Sequence, residues 1–263
     1  MILVIKLTLI MSKNRRRIYI GTDRWGRKEW IGTLYPKSAK DKDFIKYYTD
    51  TLDFIEFQYS RYKIITPDQI TEYIKVFKGK NFKICPHLIR HLHQPMYSNP
   101  QKLKEEVINS LSIYRNIPEY FGVVLIDTWI FKNVITEEGL FQLISNLPSD
   151  YSIVLTIDKS HERKLLDDDF FKHLNDHKVG LVLNDHTYCL AEKLSSPVIY
   201  FKVDAVSPVN LEKMLSKIRN NVKEVYISVV GEDKAMVGEV LLEYLKLRDQ
   251  YSRNGSCPTN QNC

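Results

Sequence analysis

Carboxylates and a few cations recur at regular intervals along this chain, and their types are those that acid/base chemistry uses. Each of eight short apolar runs ends beside a polar residue. These polar residues are Thr22, Asp23, Glu56, Gln58, Cys85, Asp127, Asp158, Lys159, Asn184, Asp185, Lys202 and Asp204. Opposed carboxylates with a nearby cation are typical of glycoside and phosphoester hydrolysis. We therefore predict a carboxylate-rich pocket for a small polar ligand, sugar-like or nucleotide-like.

The apolar runs are predicted β-strands, and segments with helical spacing separate them. Phe44, Tyr47, Tyr48 and Leu52 give one example of that spacing. Alternating strands and helices, with strands apolar on both faces, predict an α/β protein, a single-domain (β/α)8 TIM-type barrel. The predicted strands are Ile18–Gly21, Asp53–Phe57, Phe82–Cys85, Val123–Asp127, Ile153–Ile157, Gly180–Asn184, Val198–Val203 and Val225–Val229.

The barrel prediction brings the polar strand ends together, because ligand sites in such barrels lie at the carboxyl ends of the strands. Side chains alternate along a strand, so Glu56 faces the axis if Phe57 faces the helices. We predict Glu56 as the acid or base, Asp127 or Asp158 as the second carboxylate, and Lys202 as the electrostatic stabiliser. We also expect Glu56 to be buried with a charged or hydrogen-bonding partner. A salt bridge of Glu56 with Lys202 or Arg24 that only closes the top of the barrel is the alternative.

Seven further residues are candidates for ligand binding. They are Thr22, Trp25, Gln58, Tyr62, His91, Asp185 and Asp204. Aromatic rings beside carboxylates suit stacking on a sugar or a nucleobase. For Trp30 and Tyr35 we favour a hydrophobic plug under the first loop, and for Asp185 we favour an N-cap ahead of Tyr188–Leu194 over a role at the site.

A histidine-rich segment raises the question of a metal. His87 and His91 share one face only if this segment is helical, but Pro86 and Pro95 bracket it. No carboxylate with ligand spacing lies nearby in the sequence, so we predict no metal and no cofactor. A metal site completed by a distant Asp or Glu remains the alternative. His91 by itself is a better candidate for the ligand-binding site than His87 and His91 are for a pair of metal ligands.

Composition argues against several classes of partner. The net charge of +6 is spread along the chain, with one local basic run at Lys13–Arg17, so no specific nucleic-acid partner is expected. Cysteines without CxxC spacing favour a reducing compartment, and we predict a cytoplasmic location. The apolar run Met1–Ile10 is too short to cross a bilayer, so no membrane partner is expected either. The sequence does not predict an oligomeric state.

The two ends differ in composition from the predicted barrel, which spans residues 18–248. Positive charges follow the run Met1–Ile10, the reverse of a secretory signal. We treat residues 1–17 as an N-terminal extension in which Met11 is the expected natural start, with a capping segment at the bottom of the barrel as the alternative. Residues 249–263 are rich in polar residues, and we expect a disordered tail.

Two aromatic motifs resemble a known family. Ile18-Tyr-Ile-Gly-Thr-Asp-Arg-Trp25 and Trp30-Ile-Gly-Thr-Leu-Tyr-Pro36 are similar to the opening of the YecE-like proteins, the family called domain of unknown function 72. Phe54-Ile-Glu-Phe-Gln-Tyr-Ser-Arg-Tyr62 resembles that family's second strand, with Glu56 and Tyr62 matching and Gln58 in place of Asn. The resemblance implies a TIM-type barrel and no established activity.

The chain departs from the family pattern at several strand ends. Cys85 stands where the family usually has Lys, and Asp127-Thr-Trp129 replaces its Gln-x-Pro. Lys202-Val-Asp-Ala205 replaces Arg-x-His-Gly and keeps only the positive charge at Lys202. These losses support a second hypothesis, a non-catalytic ligand-binding or interaction protein built on the same scaffold.

Overall fold

Eight parallel strands close into a barrel in the order β1 to β8, which confirms the predicted fold class. The computed structural model describes residues 16–57, 66–88, 100–127, 137–157 and 166–254. The strands are β1 Arg17–Thr22, β2 Phe54–Phe57, β3 Lys83–Leu88, β4 Val124–Asp127, β5 Ile153–Thr156, β6 Gly180–Leu183, β7 Val198–Asp204 and β8 Glu224–Val230. All neighbouring strands are parallel, and β1 pairs with β8 to close the ring.

Helices connect the strands and cover the outside of the barrel. The α-helices are α1 Phe44–Thr51, α2 Pro67–Phe77, α3 Pro100–Leu111, α4 Glu137–Asn146, α5 Asp168–Asp176, α6 Leu211–Ser216 and α7 Lys234–Asn254. Short 3-10 helices span Lys28–Trp30, Asp41–Asp43, Ser112–Asn116, Pro118–Tyr120 and Tyr188–Lys193. Thr66 begins α2 with a capping box, in which its hydroxyl accepts from Gln69 N–H and the Gln69 side chain accepts from Thr66 N–H.

The third strand is longer than the sequence predicts. The sequence predicts its end at Cys85, yet β3 continues to Leu88 through Pro86, which has no N–H to donate to a β-ladder. Among the described residues, β3 pairs with β2 from Lys83 to Pro86 and with β4 at His87 and Leu88, and an isolated bridge joins Ile84 to Phe121 on the β4 side. Pro86 is therefore a paired position within the strand, opposite Phe57 of β2.

The barrel interior has an apolar lower part. A cluster separate from the outer core fills it, and its members are Tyr19, Phe54, Cys85, Val123, Leu125, Val154, Val198, Tyr200 and Tyr226. Tyr19 and Tyr226 stack at 4.7 Å, and Phe54 meets Tyr226 edge-on at 5.3 Å. Gly21 makes room for this layer, since an added Cβ would lie 2.8 Å from a ring carbon of Phe54. Cys85, predicted at the mouth, lies in this layer instead.

The first loop is plugged as predicted. Trp30 and Tyr35 are buried, with their rings 5.7 Å apart. The indole N–H of Trp30 donates to the carbonyl of Lys234 at 2.6 Å. Gly238 on α7 permits this close approach, because an added Cβ would lie 2.8 Å from Trp30.

The last helix passes the predicted barrel boundary. It ends at Asn254, although residues 249–263 were expected to be a disordered tail. Residues 249–254 contain no proline or glycine, the two residue types that most strongly disfavour a helix, in agreement with a helix that includes them. Among the described residues, no helix is both long and apolar enough to cross a membrane.

Candidate functional site

Four charged side chains form a continuous chain at the carboxyl ends of four strands. Nζ of Lys202 on β7 lies 2.9 Å from Oε1 of Glu56 on β2. The same oxygen lies 2.9 Å from Nδ1 of His87 on β3, and Nε2 of His87 lies 2.8 Å from Oδ1 of Asp127 on β4. We call these four residues the charged chain.

Glu56 is the centre of this arrangement. It is fully buried, and besides Lys202 and His87 it accepts a hydrogen bond from Tyr200 at 3.1 Å and a longer one from Ser228 at 3.5 Å. Lys202 and Ser228 reach it from β7 and β8 across the barrel interior. The predicted inward orientation of Glu56 and its pairing with Lys202 are therefore confirmed.

Local alternation explains why Glu56 points inward. Phe57 joins the outer core and meets Trp25 at 6.0 Å and Tyr73 at 5.5 Å. Phe54, two residues before Glu56, belongs to the inner cluster. Because successive side chains of a strand face opposite sides, Glu56 must face the interior.

The charged chain shifts the proton affinities of its members. Burial raises the pKa of Glu56, but the charge of Lys202 and the contacts with His87 outweigh burial and hold it below its ordinary value. Burial lowers the pKa of His87, yet Asp127 and Glu56 together raise it above its ordinary value. For Lys202, attraction to Glu56 likewise outweighs burial, so its pKa is raised.

Thr22 and Trp25 lie near the end of β1 but contact the helix layer. The Thr22 N–H donates to the Tyr48 hydroxyl at 3.0 Å, and that hydroxyl donates to the Phe54 carbonyl at 2.8 Å. The Trp25 ring packs against Phe57 and the α2 residue Tyr73. Both residues thus make contacts within the protein, and their predicted ligand-binding roles remain predictions.

Asp185 and Asp204 support the loop after β7. The Asp185 carboxylate accepts from the N–H groups of Asp204 at 2.8 Å and Val209 at 3.1 Å. The prediction of Asp185 as an N-cap is wrong, because Asn184 accepts from the N–H groups of His186 and Thr187 and makes the turn before Tyr188–Lys193. Asp204 is exposed and accepts from the N–H of Val206.

The remaining predicted site residues lie outside the described part of the chain. These are Gln58, Tyr62, His91 and Asp158. The shared face considered for His87 and His91 required a helical segment, and His87 lies on a strand instead. Among the described residues, no group of three or more His, Cys, Asp or Glu side chains is arranged to hold a metal ion.

Sequence analysis missed three members of the site, namely His87, Tyr200 and Ser228. Alternation contained the signal for two of them. His87 follows Cys85 by two residues, and Tyr200 precedes Lys202 by two, so each pair faces one side of its strand. Had the third strand been extended beyond Pro86, His87 would have been the inward residue at its carboxyl end.

The fold and the charged chain together define a parallel β/α barrel with a charged cluster at the carboxyl end of its strands. A family model described as "Protein of unknown function DUF72" matches residues 19–235. The chain belongs to this family, the one that the aromatic motifs resemble. No curated protein matches the chain.

Solved structures with the same fold include members of this family. A DUF72 family protein from Thermotoga maritima is 15% identical, with a TM-score of 0.67 over 89% of this chain and 100% of that one. Another from Enterococcus faecalis is 14% identical, with a TM-score of 0.64 over 89% and 98% of the two chains. D-Psicose 3-epimerase with D-tagatose from Clostridium cellulolyticum is 12% identical, with a TM-score of 0.55 over 91% and 100%. At these identities the likeness shows the fold alone.

Proposed function

We propose that this protein is an enzyme that applies acid/base chemistry to a small polar ligand at the carboxyl end of its barrel. The observation that carries the proposal is the difference in exposure within the charged chain. Lys202 exposes 29% of its side chain, whereas the side chain of its partner Glu56 is fully buried. Lys202 is therefore the member of the chain that a ligand at the barrel mouth meets first.

Glu56 is suited to hold Lys202 in place. Its two oxygens already face the donors of Lys202, His87, Tyr200 and Ser228. A carboxylate with this many donors is a weak base, since each donor stabilises the ionised form. Within the proposal Glu56 is a fixed anion that orients the ammonium and keeps it charged.

Lys202 and Asp127 then supply the chemistry. A preorganised ammonium stabilises negative charge that develops on a ligand oxygen, and such electrostatic stabilisation is often the largest contribution to catalysis. Asp127 is the last residue of β4, at the carboxyl end of the barrel, and it is the carboxylate we assign as proton acceptor. This pairing is of the hydrolase-like type, with a neutral or anionic sugar-like molecule as the ligand class.

The test is a ligand and turnover screen with matched lysine variants. Wild-type protein, Lys202→Met and Lys217→Met are screened against sugars, sugar phosphates and nucleosides, with thermal shift for binding and NMR for product formation. Lys217 pairs with Glu192 on the exposed outer surface at 3.2 Å and serves as the control. We expect hits that wild-type and Lys217→Met share and that folded Lys202→Met loses. Equal hits for all three proteins would contradict the role of Lys202.

A second candidate function is non-catalytic ligand binding. The saturation of Glu56 favours it, because a carboxylate fully engaged by its own protein also fits a purely structural ion cluster. Under this alternative, ligands shift the melting temperature in a Lys202-dependent way, but no product forms. The same screen therefore separates the two functions.

A further inference from the structure

The His87 ring lies between two carboxylates on neighbouring strands. Nδ1 lies 2.9 Å from Glu56 and Nε2 lies 2.8 Å from Asp127, and the histidine is buried. Neighbouring strands β2, β3 and β4 supply the three residues. Their spacing is therefore set by the barrel and not by a flexible loop.

Proton counting limits the states that this geometry allows. An ionised carboxylate only accepts hydrogen bonds, and a neutral imidazole carries a single N–H. With a neutral ring and two ionised carboxylates, one unprotonated ring nitrogen would lie less than 3 Å from a carboxylate oxygen, which brings two negatively polarised atoms together. The contacts become attractive when both ring nitrogens carry a proton, or when one carboxyl group does.

The surroundings decide which group holds the extra proton. Glu56 also faces the Lys202 ammonium at 2.9 Å and the Tyr200 hydroxyl at 3.1 Å, and both stabilise its ionised form. With the ring charged, Lys202 and His87 carry two positive charges and Glu56 and Asp127 two negative ones. The charged chain is then neutral as a set, which lowers the cost of burying it.

We propose that His87 is a permanently charged imidazolium that positions Glu56 and Asp127, and that it is not a general base. This inference rests on the proposed function only in assigning what the positioned groups do. It excludes His87 as the proton acceptor and leaves Asp127 as the acceptor among the described members of the chain. It also predicts that the site works without a titrating histidine near neutral pH.

The direct test is NMR of protein labelled with ¹⁵N-histidine, which needs no substrate. The chain has seven histidines, and the His87 signals are identified by their loss in His87→Gln. We expect both His87 ring nitrogens to be protonated and their signals unchanged between about pH 5.5 and 7.5, a range that spans the ordinary pKa of histidine. A His87 ring that loses a proton within this pH range would overturn the inference.

Asp127→Asn provides a second variant if His87→Gln does not fold. It removes one of the two carboxylates at the ring, so the His87 signals should begin to titrate at a lower pH than in the wild type. Unchanged His87 signals in folded Asp127→Asn would contradict a charge-based role. These results do not depend on turnover, so a failed ligand screen cannot be mistaken for failure of this inference.

The positioning role has its own readout once a ligand is found. His87→Lys keeps a cation between the carboxylates, whereas His87→Gln keeps polar groups without charge. We expect His87→Gln to lose turnover and His87→Lys to restore part of it, with a flat pH profile through neutral pH in the wild type. Equal loss in both folded variants would show that the ring shape matters and the charge does not.

Discussion

Asp53 and Glu56 lie three positions apart on one stretch of chain, yet they meet opposite ends of the barrel. Asp53 precedes β2 at the amino end, where it forms an ion pair with Arg248 and accepts from the Ile20 N–H at 2.9 Å. Glu56 sits inside the carboxyl end and is paired with Lys202. Each carboxylate thus has a cationic partner, but their proton affinities shift in opposite directions.

The balance between burial and neighbouring charges explains the difference. Burial raises the pKa of Asp53 and outweighs Arg248, and Asp249, which Arg248 also contacts at 2.9 Å, adds a smaller rise. Glu56 has two positively charged neighbours and keeps a lowered pKa despite complete burial. A salt bridge therefore does not by itself fix the charge of a buried carboxylate. The number of donors and competing anions decides it.

The largest expected effect contrasts the two neutralised carboxylates. Glu56→Gln leaves Lys202 and His87 without their shared anion in a buried site, so we expect a loss of about 3–5 kcal/mol in the free energy of unfolding. Asp53→Asn keeps a carbonyl oxygen for Ile20 N–H, and the loss should be about 1 kcal/mol. Urea denaturation measures both. Similar losses of unfolding free energy in the two variants would contradict the larger contribution that we assign to Glu56.

As pH falls through the acid range, the contributions of Glu56 and Asp53 to the free energy of unfolding should change in opposite directions. The folded-state pKa of Glu56 is below its ordinary value of 4.5, so its stabilisation is present above pH 4.5 and is lost as pH falls. The pKa of Asp53 is above its ordinary value of 3.8, so its contribution is present below pH 3.8 and is lost as pH rises.

Denaturation curves from pH 5 to pH 3 check this sign difference. In the wild type, Glu56 should contribute a decline that approaches about 1.4 kcal/mol per pH unit. The decline should be flatter in Glu56→Gln and steeper in Asp53→Asn than in the wild type. Identical slopes in the three proteins would contradict the opposite shifts.

Two tyrosine hydroxyls, one at each end of the barrel, allow the same comparison with a smaller expected effect. Tyr200 donates to buried Glu56 at 3.1 Å, whereas Tyr226 donates at 3.1 Å to Glu224, which is only partly buried, nearer the amino end. Tyr200→Phe removes a hydrogen bond to a buried charge and should cost about 1.5 kcal/mol or more, against about 0.5 kcal/mol for Tyr226→Phe. Chemical denaturation of the two single variants decides it, and a reversed order would argue against Glu56 as the centre of the site.

The smallest expected effect tests whether Arg248 is shared. Asp249→Asn removes the competing carboxylate, so the pKa of Asp53 should fall while overall stability changes by less than about 0.5 kcal/mol. A ¹³C NMR titration of the Asp53 carboxyl measures the shift. A constant Asp53 pKa would leave burial alone as the cause of its elevation.

Local pattern was sufficient for most of the fold. Strands β1, β2 and β4 to β8 begin and end within one residue of the predicted bounds, because a buried parallel strand needs a short apolar run between polar residues. The exception is β3, whose end the local pattern does not predict. Proline is a local signal against a strand because it has no N–H to donate, yet Pro86 pairs with Phe57 of β2 and the strand continues to Leu88.

The site was only partly predictable for a related reason. Alternation along β2 and β7 determined that Glu56 and Lys202 face the interior, since the side-chain period of a strand is fixed by its backbone. That His87 lies between Glu56 and Asp127 depends on the register of three strands, which no local pattern contains. Nor does the sequence state that Asp185 bonds to the backbone of the β7 loop, because that contact joins residues 19 or more positions apart.

The sequence by itself therefore determined the architecture, the end of the barrel that carries charge, and the inward direction of Glu56 and Lys202. These follow from periodicity and residue type, which act over a few neighbouring residues. The tertiary structure alone decided which charges meet, how many donors each carboxylate has, and hence that the pKa of Glu56 is lowered while that of Asp53 is raised. Those quantities depend on distances of a few ångströms between strands far apart in the chain, and closure of the barrel sets them.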